Sequence, residues 1–387
     1  MRKLVAAPNA LKGSLSPFAA AAAIRTGAKR ALPQLEVVEL GIADGGDGTA
    51  EVICRARDGH FREAMALDPR GRARQARYAW LADGTAVIDV ATASGLALLE
   101  PSERSAVAAT SYGTGQLLRA ALDAGATRLV LGVGGSASVD AGAGILEALG
   151  ARLLDEQGHH LPRGGGALGR LAHVELSGLM PRAREVPLDI ACDVDSSLLG
   201  EHGAARLFGP QKGATPSEVA ELEAALSHFA ERLMQQFGRD VKGVASGGAA
   251  GGIAAGLFGV LGARLLPGVD LVLDAVGFEQ ALNGAQLCIT AEGQLDRQSL
   301  RNKGPWGVAR RAAARDVPVV ALGGSIAADV ADRDFPDFAG MFSICSGPMP
   351  LERAMRDAGT LLEAAAERVV RLFARAEESG RGEARSR

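Results

Sequence analysis

The chain has 387 residues, a length that suits two domains better than one, and its 47% hydrophobic and 22% charged residues are those of a soluble globular protein. A net charge of −3 and a pI near 6.1 remove the electrostatic case for a nucleic-acid partner, and 4% aromatics leave little on which bases could stack. The apolar run Phe18–Ile24 is far short of the ~20 residues that span a bilayer, so no membrane partner is expected.

The opening Met-Arg-Lys-Leu-Val-Ala-Ala-Pro-Asn turns polar before a secretory apolar region can build. Four scattered cysteines, Cys54, Cys192, Cys288 and Cys345, have no CxxC spacing and read as reduced residues of a cytoplasmic protein.

Lys3–Ala7 predicts a first strand. Ser16 predicts an N-cap, Pro17 the first helical position, and Ala19–Leu32 the helix, which Pro33 stops. Leu35–Ile42 predicts a second strand, so the chain begins as a β-α-β unit. Arg74–Leu81 and Thr85–Ala91 flank Asp83-Gly84, a hairpin signal. Thr127–Val133 predicts a buried strand that leads through glycines into a helix near Ala137–Leu149. Ala151–Leu154 predicts a strand before the turn Asp155-Glu156-Gln157-Gly158, and Val186–Ala191 another.

Simple alternation returns with strands at Gln286–Thr290, Val317–Leu322 and Met341–Cys345 and a helix around Gly307–Arg315. A long helix is expected over Leu351–Ala374, and a disordered charged tail from Glu377. The predicted fold class is α/β with two α/β domains. One is doubly wound and discontinuous, 1–65 with 280–387; the other, 66–279, is inserted and carries a mixed sheet.

Only six lysines occur, and four of them precede glycine: Lys12, Lys212, Lys242 and Lys303. Composition alone gives roughly one such pair. A compact ammonium beside exposed amides suits phosphate. The loop Ala7–Ser14 follows the first strand, where open α/β sheets bind ligands, and offers Lys12 and the Ser14 hydroxyl to an anion. Asp44-Gly45-Gly46-Asp47-Gly48-Thr49 ends the second strand, and its carboxylates suit Mg²⁺, with Asp44 the stronger candidate.

Gly134, Gly135 and Ser136 follow a strand and read as phosphate-contacting backbone. The same stretch fits GxGxxA, with Asp155 at the spacing of a ribose acid. Because Asp155 is better explained as a turn residue, NAD stays a minor alternative. Gly-Lys never occurs as a dipeptide, which excludes a P-loop kinase.

Asp193 ends the strand Val186–Ala191, and Gln211-Lys212-Gly213 follows soon after. A carboxylate that orients an attacking hydroxyl and a lysine that neutralises a moving phosphoryl group suit phosphoryl transfer. Glu292 and Asp296 leave a later strand shortly before Lys303-Gly304 and are candidates for metal or substrate contact. His159-His160 lacks spaced partners for zinc, and no GxSxG elbow occurs.

Taken together, PNALKGSLS, IADGGDGTAEV, TSYGTGQLL, GVGGSASVDAGAGILEALGA, CDVDSSLLGEHGAARLFGPQKGA, SGGAAGGIAAGL and ITAEGQLDRQSLRNKGPWGVA resemble, in order, the bacterial glycerate kinase family of the type that makes 2-phosphoglycerate. The chain departs from many relatives at Asn9-Ala10-Leu11, where they have Asp-Ser-Phe, and at Ala291, where they have Gly.

The resemblance implies two α/β domains, one Rossmann- or flavodoxin-like, with ATP, Mg²⁺ and D-glycerate as ligands; it is compatible with a homodimer. The roles expected under it are direct in-line transfer, with Asp193 as base and Lys12 and Lys212 as charge stabilisers. Ser14, Gly134, Gly135, Ser136 and Gln211 would contact substrate or phosphate, and Asp44, Glu292 and Asp296 the metal. A kinase for the 3-hydroxyl or for another small hydroxy acid, and a non-catalytic ligand-binding protein, are the competing readings.

Overall fold

In a computed structural model that describes residues 1–297, 300 and 303–385, the apolar runs become strands β1 (Lys3–Ala6), β2 (Glu36–Glu39), β3 (His60–Leu67), β4 (Ala73–Trp80), β5 (Thr85–Asp89), β6 (Arg128–Gly132), β7 (Arg152–Leu154), β8 (His173–Glu175), β9 (Leu188–Ala191), β10 (Arg264–Leu266), β11 (Leu287–Leu295), β12 (Val319–Ile326) and β13 (Gly340–Ser343). Gln298-Ser299 and Arg301-Asn302 of the last quoted motif lie outside the described residues. The architecture is α/β, and no helix among the described residues is long and apolar enough to cross a membrane.

The chain divides into one unit of residues 1–44 and 269–387 and another of residues 45–268. These boundaries differ from the expected 65/66 and 279/280, and the reasons are local. β3 pairs antiparallel with β4 from His60↔Trp80 to Leu67↔Ala73, which ties residues 45–65 to the second unit. Asp270 and Asp274 form ion pairs with Arg310 and Arg311, which ties the helix Gly268–Ala275 to the first.

The sheet of the 1–44/269–387 unit is parallel throughout, in the order β13-β12-β11-β1-β2. Numbered within the unit this is 2-1-3-4-5, the flavodoxin-like order, whose switch point lies between β1 and β11. Leu4, Ile24, Leu287, Ile289, Leu322 and Leu362 fill its core. The Ser16 hydroxyl accepts from the Ala19 N–H at 3.1 Å and caps the helix Pro17–Ala31.

The expected single helix over 351–374 is two, Leu351–Arg356 and Ala358–Arg385, broken at Asp357. The tail from Glu377 continues the second helix to Arg385 instead of being disordered. Its glutamates and arginines are good helix formers, and they extend a helix already nucleated upstream past Gly380 and Gly382.

The 45–268 unit has a six-stranded mixed sheet, β10-β9-β6-β5-β4-β3, antiparallel from β3 to β5 and parallel from β5 to β10. β7 and β8 form a separate antiparallel pair. The Asp83-Gly84 turn closes as expected, with the Leu81 N–H donating to the Thr85 carbonyl at 2.9 Å. Asp189, fully buried on central β9, accepts from Arg128 on β6 at 2.6 Å and Arg264 on β10 at 2.7 Å, so each neighbouring strand supplies one compensating charge.

The helix expected at 137–149 shrinks to Ala143–Ala148. Ala141 (φ 50°) and Gly142 (φ 74°) are left-handed, and the Asp140 carboxylate captures amides that a helix would otherwise use.

Candidate active site

In the 1–44/269–387 unit, the loop after β1 closes on itself. The Ser14 N–H donates to the Leu11 carbonyl at 2.8 Å, and the Leu11 N–H to the Leu15 carbonyl at 3.0 Å. This turn carries Lys12 and Ser14 to the rim of a cavity of about 390 Å³ at the carboxyl ends of β1, β11, β12 and β13. Glu292 projects into it from β11, in register with Gly323 of β12. Glu292 is 7% exposed, and its Oε2 has no hydrogen-bond partner among the described residues.

Burial, first, and then the nearby Asp44 push the Glu292 carboxyl up to about 7, while Lys303 and Lys12 oppose the shift and Asp296 adds to it. Lys12, Ser14, Asp296 and Lys303 all line the same cavity. The three carboxylates expected as metal ligands therefore share one electrostatic neighbourhood, but they do not make a three-ligand centre. No group of three or more His, Cys, Asp or Glu able to hold a metal occurs among the described residues.

The 45–268 unit gathers its own polar groups at the carboxyl ends of β5, β6 and β9. Lys212, in the turn Pro210–Lys212, is 3% exposed. Its Nζ donates to the Ser136 Oγ and to the Ser138 carbonyl, both at 2.7 Å. Burial lowers its pKa to about 7, against the pull of Asp140. Lys212 is thereby held by Ser136, itself 5% exposed, whose hydroxyl accepts the bond and keeps its own proton free to donate. Gln211, its neighbour, is exposed.

Asp140 organises this loop and was missed by the sequence reading. Its carboxylate accepts from the Ser111 N–H and Oγ, each at 2.8 Å, and from the Ser138 Oγ at 3.0 Å. A Cβ at Gly251 would lie 2.2 Å from the Ser138 carbonyl, and Gly251 has φ 71°. Glycine is therefore required there for the segment to close on the Lys212 loop.

Asp89 was also missed. It ends β5, is 3% exposed, and accepts from the Gly48 N–H at 3.0 Å and the Ala50 N–H at 3.1 Å. These amides belong to the cap and first turn of the helix Thr49–Ala56. Burial foremost, together with the charge of Asp47, pushes the Asp89 carboxyl up to about 7, although the amides resist. The signal that singled out Asp193, an acid that closes an apolar strand, applies equally to Asp89.

The Asp193 carboxylate accepts from the Gly268 N–H at 2.7 Å and is half-buried. The Gly134 N–H is committed to the Gly45 carbonyl at 3.2 Å, and a Cβ on Gly134 would fall 2.4 Å from the Gly46 Cα. Gly134 is thus a packing glycine that lets two loops touch, while Gly135 is exposed. Asp155 accepts from the Gln157 and His159 amides at 3.0 and 2.8 Å. It is a turn residue, and the Gly132–Ala137 stretch does not open directly into a helix, so the dinucleotide reading loses both its supports.

The model of the Glycerate kinase family matches residues 4–374. The chain is 43% identical over 362 residues to a glycerate kinase of Bacillus subtilis, covering 93% of this chain and 95% of that one. It is 41% identical over 357 residues to the glycerate 2-kinase of Escherichia coli K12, covering 92% and 94%. A crystal structure of a protein from Salmonella typhimurium LT2 superposes with a TM-score of 0.85 at 38% identity, covering 97% of this chain and 99% of the other. The chain belongs to the glycerate kinase family.

Proposed function

We propose that this protein is an ATP-dependent glycerate 2-kinase, which converts D-glycerate and ATP to 2-phosphoglycerate and ADP. The observation that carries the reading is the buried Glu292, with an unpartnered oxygen, in a cavity it shares with Lys12, Ser14 and Lys303. Phosphoryl transfer is largely a matter of positioning and charge stabilisation, and a carboxylate with two lysines at a strand-end cavity supplies both.

The donor set fits Mg²⁺. An orphaned, buried carboxylate oxygen with Asp44 and Asp296 adding negative charge nearby suits an ion usually held by one or two carboxylates plus substrate oxygens. When bound, the ion would neutralise charge on the β- and γ-phosphates. Glu292 would hold it, with Asp44 contributing directly or through water.

Lys12 and Lys303 would counter the charge of the phosphates, and the Ser14 hydroxyl would donate to one of their oxygens. Asp193, its carboxylate fixed by the Gly268 N–H, would accept the proton of the 2-hydroxyl. The hydroxyl oxygen would bond to the γ-phosphorus as the bond to ADP breaks, with no phosphoenzyme. Lys212 would act as a positioning residue through Ser136, whose O–H, with the Gly135 backbone, would donate to an anionic oxygen. All four cysteines are free, which fits a reducing, cytoplasmic setting.

The test is to incubate purified protein with ATP, Mg²⁺ and D-glycerate, follow ADP, and add enolase. ADP with immediate phosphoenolpyruvate supports the reading. ADP without an enolase-competent product places the phosphate on the 3-hydroxyl, and no ADP refutes glycerate as acceptor.

A further inference from the structure

We infer that the cavity of the 1–44/269–387 unit is the adenine-nucleotide site, with the phosphates at Lys12, Ser14 and Lys303 and the base against Leu351, Ala354 and Met355. The assignment rests on the kinase reading above and goes beyond it by saying which part of the chain takes the nucleotide.

The cavity has two chemically different ends. Leu351, Ala354 and Met355 line it at i, i+3 and i+4 spacing, so they share one face of the helix Leu351–Arg356. Such a face is ordinarily buried, yet Leu351 is 74% and Met355 36% exposed. Ile344, at the end of β13, supplies a further apolar wall. A planar, weakly polar ring suits this end, and the unbranched, polarizable Met355 suits contact with an aromatic system.

The other end carries the lysines, the Ser14 hydroxyl and the unpartnered, nine-tenths-buried Glu292 oxygen. Gly13 joins the two ends. A Cβ there would lie 2.7 Å from the Met355 Cε, so glycine lets the phosphate loop pass directly against the apolar stripe.

D-glycerate carries an oxygen on each of its three carbons and has no face to cover such a stripe. The volume of about 390 Å³ lies within the range of roughly 300–1,000 Å³ typical of sites for larger organic ligands. The location is also right: the lysine end flanks the β1/β11 switch point of the 2-1-3-4-5 sheet.

Cys345 provides a probe. It lines the cavity and is partly exposed, whereas Cys54, Cys192 and Cys288 are buried. The full-length protein is labelled with N-ethylmaleimide and the rate at Cys345 is read by peptide mass spectrometry, with ADP, with D-glycerate, or with neither. The expected result is that saturating ADP slows labelling at least about fivefold and D-glycerate changes it less than about twofold.

In parallel, Ala354→Trp should raise the KM for ATP at least about tenfold and leave the KM for D-glycerate within about twofold. Leu351→Glu, at an exposed position, serves if the tryptophan variant does not fold. Protection by D-glycerate alone, or a raised KM for D-glycerate alone, would overturn the nucleotide assignment and leave the kinase reading standing. Absence of protection by either compound, with both KM values unchanged, would also overturn it. ADP protection in a protein that phosphorylates no glycerate would sustain the site and refute the acceptor.

Discussion

Replacing Lys212 with methionine should change how stability depends on pH more than it changes stability itself. The amine is buried, and its pKa falls from 10.5 to about 7 in the folded protein. Between those values the unfolded chain binds a proton that the folded chain does not, so the wild type gains stability as pH rises, by about 1.4 kcal/mol per pH unit. That contribution is complete above 10.5, is lost progressively as pH falls from 10.5 to about 7, and is constant below.

The whole gap amounts to ~5 kcal/mol, the cost at acid pH of keeping a buried ammonium. Lys212→Met removes that cost but strands the Ser136 Oγ and the Ser138 carbonyl, at roughly 1–3 kcal/mol each. The two proteins should therefore be of similar stability near pH 6, and the wild type should pull ahead at alkaline pH. The assay is equilibrium unfolding in guanidinium chloride for both proteins at pH 6, 8 and 9.5. The wild-type advantage should grow by ~2 kcal/mol between pH 8 and 9.5. An advantage that stays constant over that window would mean the folded protein keeps the amine charged, and the account of its burial would be wrong.

Glu292→Gln should separate stability from activity. An acid whose folded pKa is raised from 4.5 to about 7 loses stability as pH rises through that window, so at pH 8 without Mg²⁺ the variant should be ~2–3 kcal/mol more stable to denaturant, while its apparent Mg²⁺ constant rises by about 10–100-fold. Asp193→Asn can still accept from the Gly268 N–H but cannot take a proton, so kcat should fall about 10²–10⁴-fold with little change in the KM for ATP; near-wild-type kcat would remove the base assignment. Gly134→Ala would press a methyl group to 2.4 Å from the Gly46 Cα and should cost about 1–3 kcal/mol, read as a lowered Tm.

The α/β class, the β-α-β start, the Ser16 cap and the Asp83-Gly84 hairpin were legible in the sequence because each rests on local chemistry. Apolar runs of strand length, a hydroxyl before Pro17 and a turn dipeptide act within a few residues. The family was legible for another reason: seven short motifs in fixed order constrain one another, although none is specific alone. Lys12 and Asp44 could be named from their places after strands, whereas Glu292, expected past a strand ending at Thr290, lies within β11.

What each of those residues does could not be read there, because burial and partnership depend on segments distant in the chain. Lys212 was expected to stabilise charge on a moving phosphoryl group; its burial and its contacts with Ser136 and Ser138, more than 70 residues away, came only with the fold. Gly134 looked like a phosphate amide and proves to be the spacer for Gly46. Asp89 and Asp140 gained their importance only once the fold brought the Gly48, Ala50 and Ser111 donors to them. Sequence fixes which groups are available and where the strands end. The tertiary structure decides which of those groups water still reaches, and that decides their charge, their free hydrogen-bonding capacity and hence their chemistry.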